Sequence, residues 1–186
     1  MRVAPLDRSA LDAQALAQIA FAESLMGFEP NDALVMARHP ALLSAISTLV
    51  SAVYGPGKVH PGLKRLIGEA ASRAAGCFYC SAHAAAGAHN AGVDAERITA
   101  VWNFEESNLF SDAEKAAIRV AMRASVTPNA VEDADFEALR KYFDDDAIVE
   151  IVAVIAMFGF LNRWNSTLQT ALEPTPAEAL ERLSLI

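Results

Sequence analysis

Several residue classes are scarce in this 186-residue chain. Aromatic residues make up only 8% of it, and lysine and arginine form no run. Because the formal net charge is −8, nucleic acid and anionic membrane surfaces repel the protein, and neither is an expected partner. The first eight residues contain no apolar segment of the kind that marks a signal peptide, so we expect a cytoplasmic protein.

Long apolar runs are equally rare. The most membrane-like stretch, residues 147–161, is fifteen residues long, contains Glu150 and runs into Arg163. A helix needs about 20 apolar residues to cross a bilayer, so this stretch is too short. It indicates a buried core helix.

The residues that are abundant favour helices. The composition is 53% hydrophobic and 20% charged, and its apolar share depends largely on alanine, leucine, valine and isoleucine. Alanine is the best helix former, and no segment shows the alternation of a half-buried strand. No Gly/Ser linker, low-complexity tract or repeat divides the chain. We therefore predict a single all-α domain over residues 1–186.

Capping and helix-breaking residues predict where the helices begin and end. Ser9 is expected to cap a first helix that ends near Met26, and Pro61 suits the first turn of another. Residues 111–114 form a capping-box pattern. Residues 144–146 are all aspartate and place negative charge at the start of a long final helix. The other helices are expected from residue 31 to before residue 40, and near 42–53, 77–91, 94–102 and 135–143.

The two cysteines of the chain, Cys77 and Cys80, are separated by two residues, and His83 follows three positions later. Residues three apart share a face of a helix, so these side chains form one stripe. Gly76 is predicted to end the preceding helix, which places Cys77 near a helix N-terminus, where backbone N–H groups stabilise a thiolate. Under reducing conditions such a pair is more often catalytic, redox-sensing or metal-binding than a permanent disulfide. The pattern predicts a redox-active dithiol.

Two other interpretations of the cysteines are weaker. Cysteine is often a small buried hydrophobe, but two at this spacing make that explanation less favoured. A structural zinc ion needs four ligands, and the histidines at 39, 60 and 89 are not at a standard spacing from the pair. We therefore predict no metal and no cofactor. Helix position alone favours Cys77 as the attacking thiol, whereas the closeness of His83 favours Cys80.

Residues 74–83, Ala-Ala-Gly-Cys-Phe-Tyr-Cys-Ser-Ala-His, followed by Ala-Gly-Val at 91–93, resemble the core motif of the AhpD-like alkylhydroperoxidases in the carboxymuconolactone decarboxylase superfamily. The stretches 100–105 and 158–165 are similar to one subgroup, and the resemblance covers roughly residues 40–175. It implies an all-helical fold that assembles into homo-oligomers. It also implies a peroxidase that reduces small organic hydroperoxides and is restored by a dithiol reductant, such as a thioredoxin-like or lipoyl protein.

The resemblance also implies roles for individual residues. Cys80 is the peroxidatic cysteine, Cys77 resolves its sulfenic acid to a disulfide, and His83 is the base or relay that helps to ionise Cys80. The best-known members have their histidine one position later and a relay glutamate where this chain has Arg65. Glu69, one helical turn after Arg65, is the candidate replacement, although a surface position is the commoner expectation for such a glutamate.

Two further functions remain open from the sequence. One is a non-catalytic redox sensor or binding module that keeps the scaffold, which the displaced histidine and glutamate favour. The other is the lactone decarboxylation that gives the superfamily its name. That chemistry does not depend on a cysteine pair, so the Cys77/Cys80 motif argues against it.

Overall fold

The computed structural model describes residues 1–182, and within that range it contains helices and no strand. This confirms the all-α class. In the same range the helices are α1 (Ala13–Met26), α2 (Asn31–Met36), α3 (Pro40–Tyr54), α4 (Pro61–Ala74), α5 (Phe78–Asn90), α6 (Ala95–Ala100), α7 (Asp112–Ala124), α8 (Asp133–Leu139), α9 (Asp145–Leu168) and α10 (Pro174–Arg182), with 3₁₀ turns at Arg8–Ala10 and Val101–Asn103.

Helix α4 lies at the centre of the fold. It packs against α5, α7 and α9, and it is buried along most of its length. Leu66 and Ile67 are wholly buried in the main core. Helix α5, which carries the two cysteines, lies on α4 and also contacts α9 and α10. The dithiol therefore lies where four helices meet.

The first helix starts later than Ser9 predicts. Asp7 caps the short 3₁₀ turn over Arg8–Ala10, and the carboxylate of Asp12 then accepts the Ala15 N–H at 2.7 Å to begin α1. Aspartate and serine are comparable caps, so local preference does not decide between them. Leu11 lies between the 3₁₀ turn and α1 and is buried in a second apolar cluster with residues of α1, α2 and α3. This packing accompanies the later start of the first helix.

The C-terminal part departs most from the prediction. The helix expected at 135–143 occupies Asp133–Leu139, and the one expected to reach Trp102 ends at Ala100 before a 3₁₀ turn. Asp144 caps α9 as predicted, but α9 is not the final helix. Helix α10 follows it and begins at Pro174, a residue that suits the first turn of a helix.

Helix α9 is the one described helix long and apolar enough to cross a bilayer by length and composition alone. Its buried residues belong to the main core, and the helix packs against α3, α4, α5 and α7. It is therefore a core helix of this fold, as the sequence predicted for residues 147–161.

The contact between α4 and α9 gives a stability prediction. A Cβ atom at Gly68 would overlap the ring of Phe158, which is itself buried. We expect Gly68→Ala to lower the free energy of unfolding by about 1–3 kcal/mol, because the core must shift to accept the methyl group. Urea denaturation measures the change.

The matched control is Gly159→Ala, on α9. A Cβ atom there meets no atom within 4 Å, and alanine is a better helix former than glycine. We expect this variant to raise the free energy of unfolding by about 0.5–1 kcal/mol. A loss of stability in both variants would show that the overlap with Phe158 is not the cause.

Candidate active site

A tight helix end places Cys77. The Cys77 N–H donates to the Ser72 carbonyl at 3.0 Å, and the Gly76 N–H donates to the Arg73 carbonyl at 3.0 Å. This is the Schellman motif, which needs a left-handed residue just after the helix. Gly76 supplies it with φ of +69°, a conformation that a side chain would strain. The predicted end of the helix at Gly76 is thus confirmed, and α5 begins two residues later, at Phe78.

Cys77 caps the N-terminus of α5. Its sulfur accepts the Cys80 N–H at 3.4 Å, and both cysteines are free thiols with 2–3% of their surface exposed. Hydrogen bonds from the Cys80 thiol, from Ser166 and from the Cys80 backbone N–H lower the pKa of Cys77 to about 6, against the opposing effect of burial. The same bond to Cys77, together with burial, raises the pKa of Cys80. These opposite shifts in pKa favour ionisation of the pair at Cys77, the residue at the N-terminus of α5.

A polar chain from α9 reaches Cys80. The Asn165 amide Nδ2 lies 3.4 Å from the Cys80 Sγ and 3.2 Å from an Asp32 carboxylate oxygen. Thr170 donates its hydroxyl to the Asn165 Oδ1 at 2.7 Å, which orients the amide so that Nδ2 faces the sulfur. Burial raises the pKa of Asp32, although the nearby charge of His83 opposes the effect. Asp32 is thus a titratable carboxyl group that the Asn165 amide links to the Cys80 sulfur.

His83 contacts the carboxylate of Glu173, the residue that directly precedes α10. Its Nε2 lies 2.7 Å from the Glu173 Oε2, while the Glu173 Oε1 accepts the Tyr79 hydroxyl at 2.8 Å and the Asn31 N–H at 2.6 Å. The Tyr79 ring stacks on the imidazole with 4.1 Å between centroids. Burial disfavours the charged Glu173, but the hydrogen bond and charge of His83, together with the bonds from Asn31 and Tyr79, outweigh it and lower the pKa of the carboxyl group. Within residues 1–182, His83 makes no hydrogen bond to either sulfur.

Glu69 is completely buried, so the expectation of a surface position is wrong. It lies on the face of α4 that α5 covers, where its carboxylate accepts the Ser81 hydroxyl at 2.9 Å and a hydrogen bond from the Arg73 Nε. Burial raises the pKa of Glu69 despite the nearby guanidinium. Arg65, at the position of the family's relay glutamate, lies instead with its guanidinium 3.7 Å from the Tyr54 ring centroid.

Cys77 lines an open cleft of about 360 Å³. Its lining residues are Ser72, Arg73, Gly76, Cys77, Phe78, Ser81 and Trp102. Glu69 lies behind this cleft, bound to Arg73 and Ser81, whereas the network of His83 and Glu173 lies on the Cys80 side. The two cysteines therefore have different surroundings: a cleft for one and a buried polar network for the other.

Sequence reasoning missed three residues of this site: Asp32, Asn165 and Glu173. Asp32 comes from α2, Asn165 from α9, and Glu173 directly precedes α10. None has a spacing relation to the cysteine motif. The one signal was the stretch 158–165, which contains Asn165 and was linked to the superfamily only by resemblance.

A metal ion has no ready set of ligands here. In the part of the chain that the structure describes, no group of three or more His, Cys, Asp or Glu side chains is arranged to hold one. The Cys77 sulfur instead accepts the Cys80 N–H, and the Asn165 amide contacts both the Cys80 sulfur and the Asp32 carboxylate.

Comparison with known proteins identifies the family of this chain. Residues 40–129 match the carboxymuconolactone decarboxylase family. An uncharacterised protein, YnjA, of Escherichia coli K12 is 36% identical over 88 residues, which are 47% of this chain and 46% of that protein. The match thus spans about half the length of that relative.

Two solved structures resemble nearly the whole chain. The debrominase Bmp8, in a cysteine-to-alanine variant bound to 2,3,4-tribromopyrrole, is 32% identical with a TM-score of 0.92, over 98% of this chain and 97% of that one. An uncharacterised peroxidase-related protein of Ralstonia eutropha JMP134, described as an alkylhydroperoxidase AhpD core, is 25% identical with a TM-score of 0.84, over 94% and 93%. The chain belongs to the AhpD and carboxymuconolactone decarboxylase superfamily.

Proposed function

We propose that this protein is a thiol-dependent peroxidase that reduces small organic hydroperoxides through a Cys77/Cys80 dithiol–disulfide cycle. The observation that carries the proposal is the pair of free thiols on one helical turn, in which Cys77 caps α5 and lines an open cleft. Membership of a superfamily that contains AhpD-like peroxidase-related proteins supports it.

The cycle transfers two electrons. A thiolate attacks the terminal oxygen of the hydroperoxide, the O–O bond breaks, and the alkoxide leaves and takes up a proton to give the alcohol. The cysteine becomes a sulfenic acid, which the second thiol attacks to release water and form the disulfide. A dithiol reductant, thioredoxin-like or lipoyl, then returns two electrons and two protons by thiol–disulfide exchange.

The order of attack differs from the one that the family resemblance implies. Resemblance assigns attack to Cys80 and resolution to Cys77. The lowered pKa of Cys77 and its position in the cleft favour Cys77 as the attacking thiolate, because the thiolate is the nucleophile. We therefore propose that Cys77 attacks the hydroperoxide and that Cys80 resolves the sulfenic acid.

The surrounding residues have supporting roles in this proposal. Cys80 must lose its proton as it attacks the sulfenic acid, and we propose Asp32 as the acceptor, because the Asn165 amide contacts both its carboxylate and the Cys80 sulfur. His83 holds Glu173 and adds charge to the same network. Glu69 fixes Arg73 at the cleft.

Counting thiols tests the proposal. We expect the reduced protein, mixed with excess cumene hydroperoxide, to lose both thiols of each chain and to form one molecule of alcohol per disulfide, because two thiols supply the two electrons of the reduction. Adding a dithiol such as dihydrolipoamide should give repeated turnover. Thiols that persist in excess peroxide would exclude the peroxidase, and oxidation without turnover would indicate the redox sensor instead.

Reductive dehalogenation of a small halogenated aromatic compound is the second candidate. The similarity to the debrominase Bmp8 over 98% of this chain favours it. The same dithiol balances that reaction: one carbon–bromine bond becomes carbon–hydrogen, bromide and a proton leave, and a disulfide forms. Bromide released from 2,3,4-tribromopyrrole by the reduced protein, with no thiol loss in hydroperoxide, would replace the first proposal with this one.

A further inference from the structure

Two large aromatic side chains lie exposed at the cleft that contains Cys77. Phe78 is 55% exposed and Trp102 is 56% exposed, although both line this cavity. Aromatic rings bury a large apolar area when a ligand covers them, and exposed apolar surface beside a cavity is typical of a binding site. These rings have no role in the chemistry of the dithiol, so they need a separate explanation.

The fold holds both rings in fixed places. Phe78 is the first residue of α5, directly after the capping residue Cys77. Trp102 lies in the 3₁₀ turn Val101–Asn103, where its neighbour Val101 is wholly buried and the turn packs against α4. Side chains on anchored elements recognise a ligand with little loss of entropy on binding.

The cleft also has a polar end. The Arg73 Nε donates to Glu69, and among residues 1–182 the guanidinium has no other hydrogen-bonded acceptor. A guanidinium carries five N–H groups, so others remain to donate to an oxygen of a ligand in the cleft. Phe78, Trp102 and Arg73 thus offer two apolar ring faces and a hydrogen-bond donor around one thiolate.

We propose that the substrate of this cleft is a compound with a single aromatic ring and an oxygen acceptor beside it, as in an arylalkyl hydroperoxide. The ring packs on Phe78 and Trp102, the oxygen faces Arg73, and the terminal peroxide oxygen meets the Cys77 sulfur. A volume of about 360 Å³ is at the small end of the range for ligand pockets, which fits one ring better than a long chain. This inference rests on the proposed function, because it names the substrate class of the same site.

Two hydroperoxides that differ only in the ring test the inference. Cumene hydroperoxide and tert-butyl hydroperoxide are both tertiary, and a phenyl group in one replaces a methyl group in the other. We expect the native protein to react about tenfold faster with cumene hydroperoxide, measured as the rate constant of thiol loss. That preference should fall about five- to tenfold in Trp102→Leu and in Phe78→Leu. Tyr142→Leu, at an exposed ring that does not line the cleft, should keep the native preference.

A binding measurement keeps the inference testable without turnover. Trp164→Phe leaves Trp102 as the one tryptophan of the chain. Saturable quenching of its fluorescence by 2-phenylpropan-2-ol, the alcohol product, is expected, and tert-butanol should have a much smaller effect.

Equal rates for the two hydroperoxides, or no saturable quenching, would overturn the aromatic substrate while leaving the peroxidase in place. If neither hydroperoxide oxidises the thiols, the proposed peroxidase activity is excluded. The quenching of Trp102 fluorescence would still decide whether the cleft binds an aromatic ring. If Trp102→Leu changes the oligomeric state and keeps the preference, the two rings form a subunit contact and the inference is wrong.

Discussion

Cys77→Ser and Cys80→Ser are each expected to reduce peroxide turnover by at least about a thousandfold, because the cycle needs both sulfurs. The two variants should fail at different steps. In Cys80→Ser, the Cys77 thiolate still attacks, and its sulfenic acid persists because no resolving thiol is present. Dimedone should therefore label Cys77 in a stoichiometric amount, measured by mass spectrometry. In Cys77→Ser, the remaining thiol is Cys80, which is buried and does not line the cleft, so labelling should be slow.

The same experiment decides the order of attack. Rapid labelling of Cys80 in Cys77→Ser, with little labelling of Cys77 in Cys80→Ser, would restore the order that the family resemblance implies. Thermal unfolding of both variants is the control, because the serine hydroxyl replaces the thiol as a hydrogen-bond donor at position 80 and as the helix cap at position 77. Turnover that persists in either variant would exclude a dithiol cycle.

Glu173→Ala is expected to give the largest loss of stability. Glu173 is 6% exposed and its carboxylate accepts bonds from Tyr79 and Asn31 besides its contact with His83. Removing one partner of a buried charged network costs about 3–4 kcal/mol, which lowers the melting temperature of a domain of this size by roughly 10 °C. Glu178→Ala, at an exposed position of α10, the helix that follows Glu173, is the matched control and should change the melting temperature little.

The pH dependence separates the charge of Glu173 from its packing. The pKa of Glu173 is lower in the folded protein than the ordinary glutamate value of 4.5, so the folded state binds this proton less tightly than the unfolded chain. Its stabilising effect is therefore complete above about pH 4.5 and is lost as the pH falls through the folded pKa. The difference in melting temperature between the native protein and Glu173→Gln should be largest near pH 7 and shrink below pH 4.5. A difference that stays constant with pH would show that the carboxylate charge contributes nothing.

The position of Glu173 shows where sequence reasoning stops. Residues 77, 80 and 83 have helical spacing, and that spacing correctly predicts that their side chains belong to one helix. It does not predict that the imidazole of His83 pairs with a carboxylate 90 positions later in the chain. No periodicity relates the two residues, because α10 reaches α5 only through the tertiary fold.

Glu69 is a second residue whose helix the sequence predicts and whose surroundings it does not. Its place on α4 follows from the sequence, since Pro61 begins this helix and Gly76 follows its end. The burial of Glu69 does not follow from the sequence, because a glutamate is rarely fully buried without partners. Arg73, one turn along the same helix, and Ser81, on α5, supply those partners once α5 packs across α4.

The sequence by itself determined the local features of this protein: the all-α class, most helix boundaries, the Schellman turn at Gly76 and the placement of Cys77 at the start of α5. Each of these depends on dihedral preferences and hydrogen bonds within a few residues, which a short stretch of sequence specifies. The tertiary structure decided the different surroundings of the two sulfurs, the partner of His83, the burial of Glu69 and the shape of the cleft. These depend on desolvation and on contacts between helices distant in the sequence, and such contacts exist only after α4, α5, α9 and α10 have packed together.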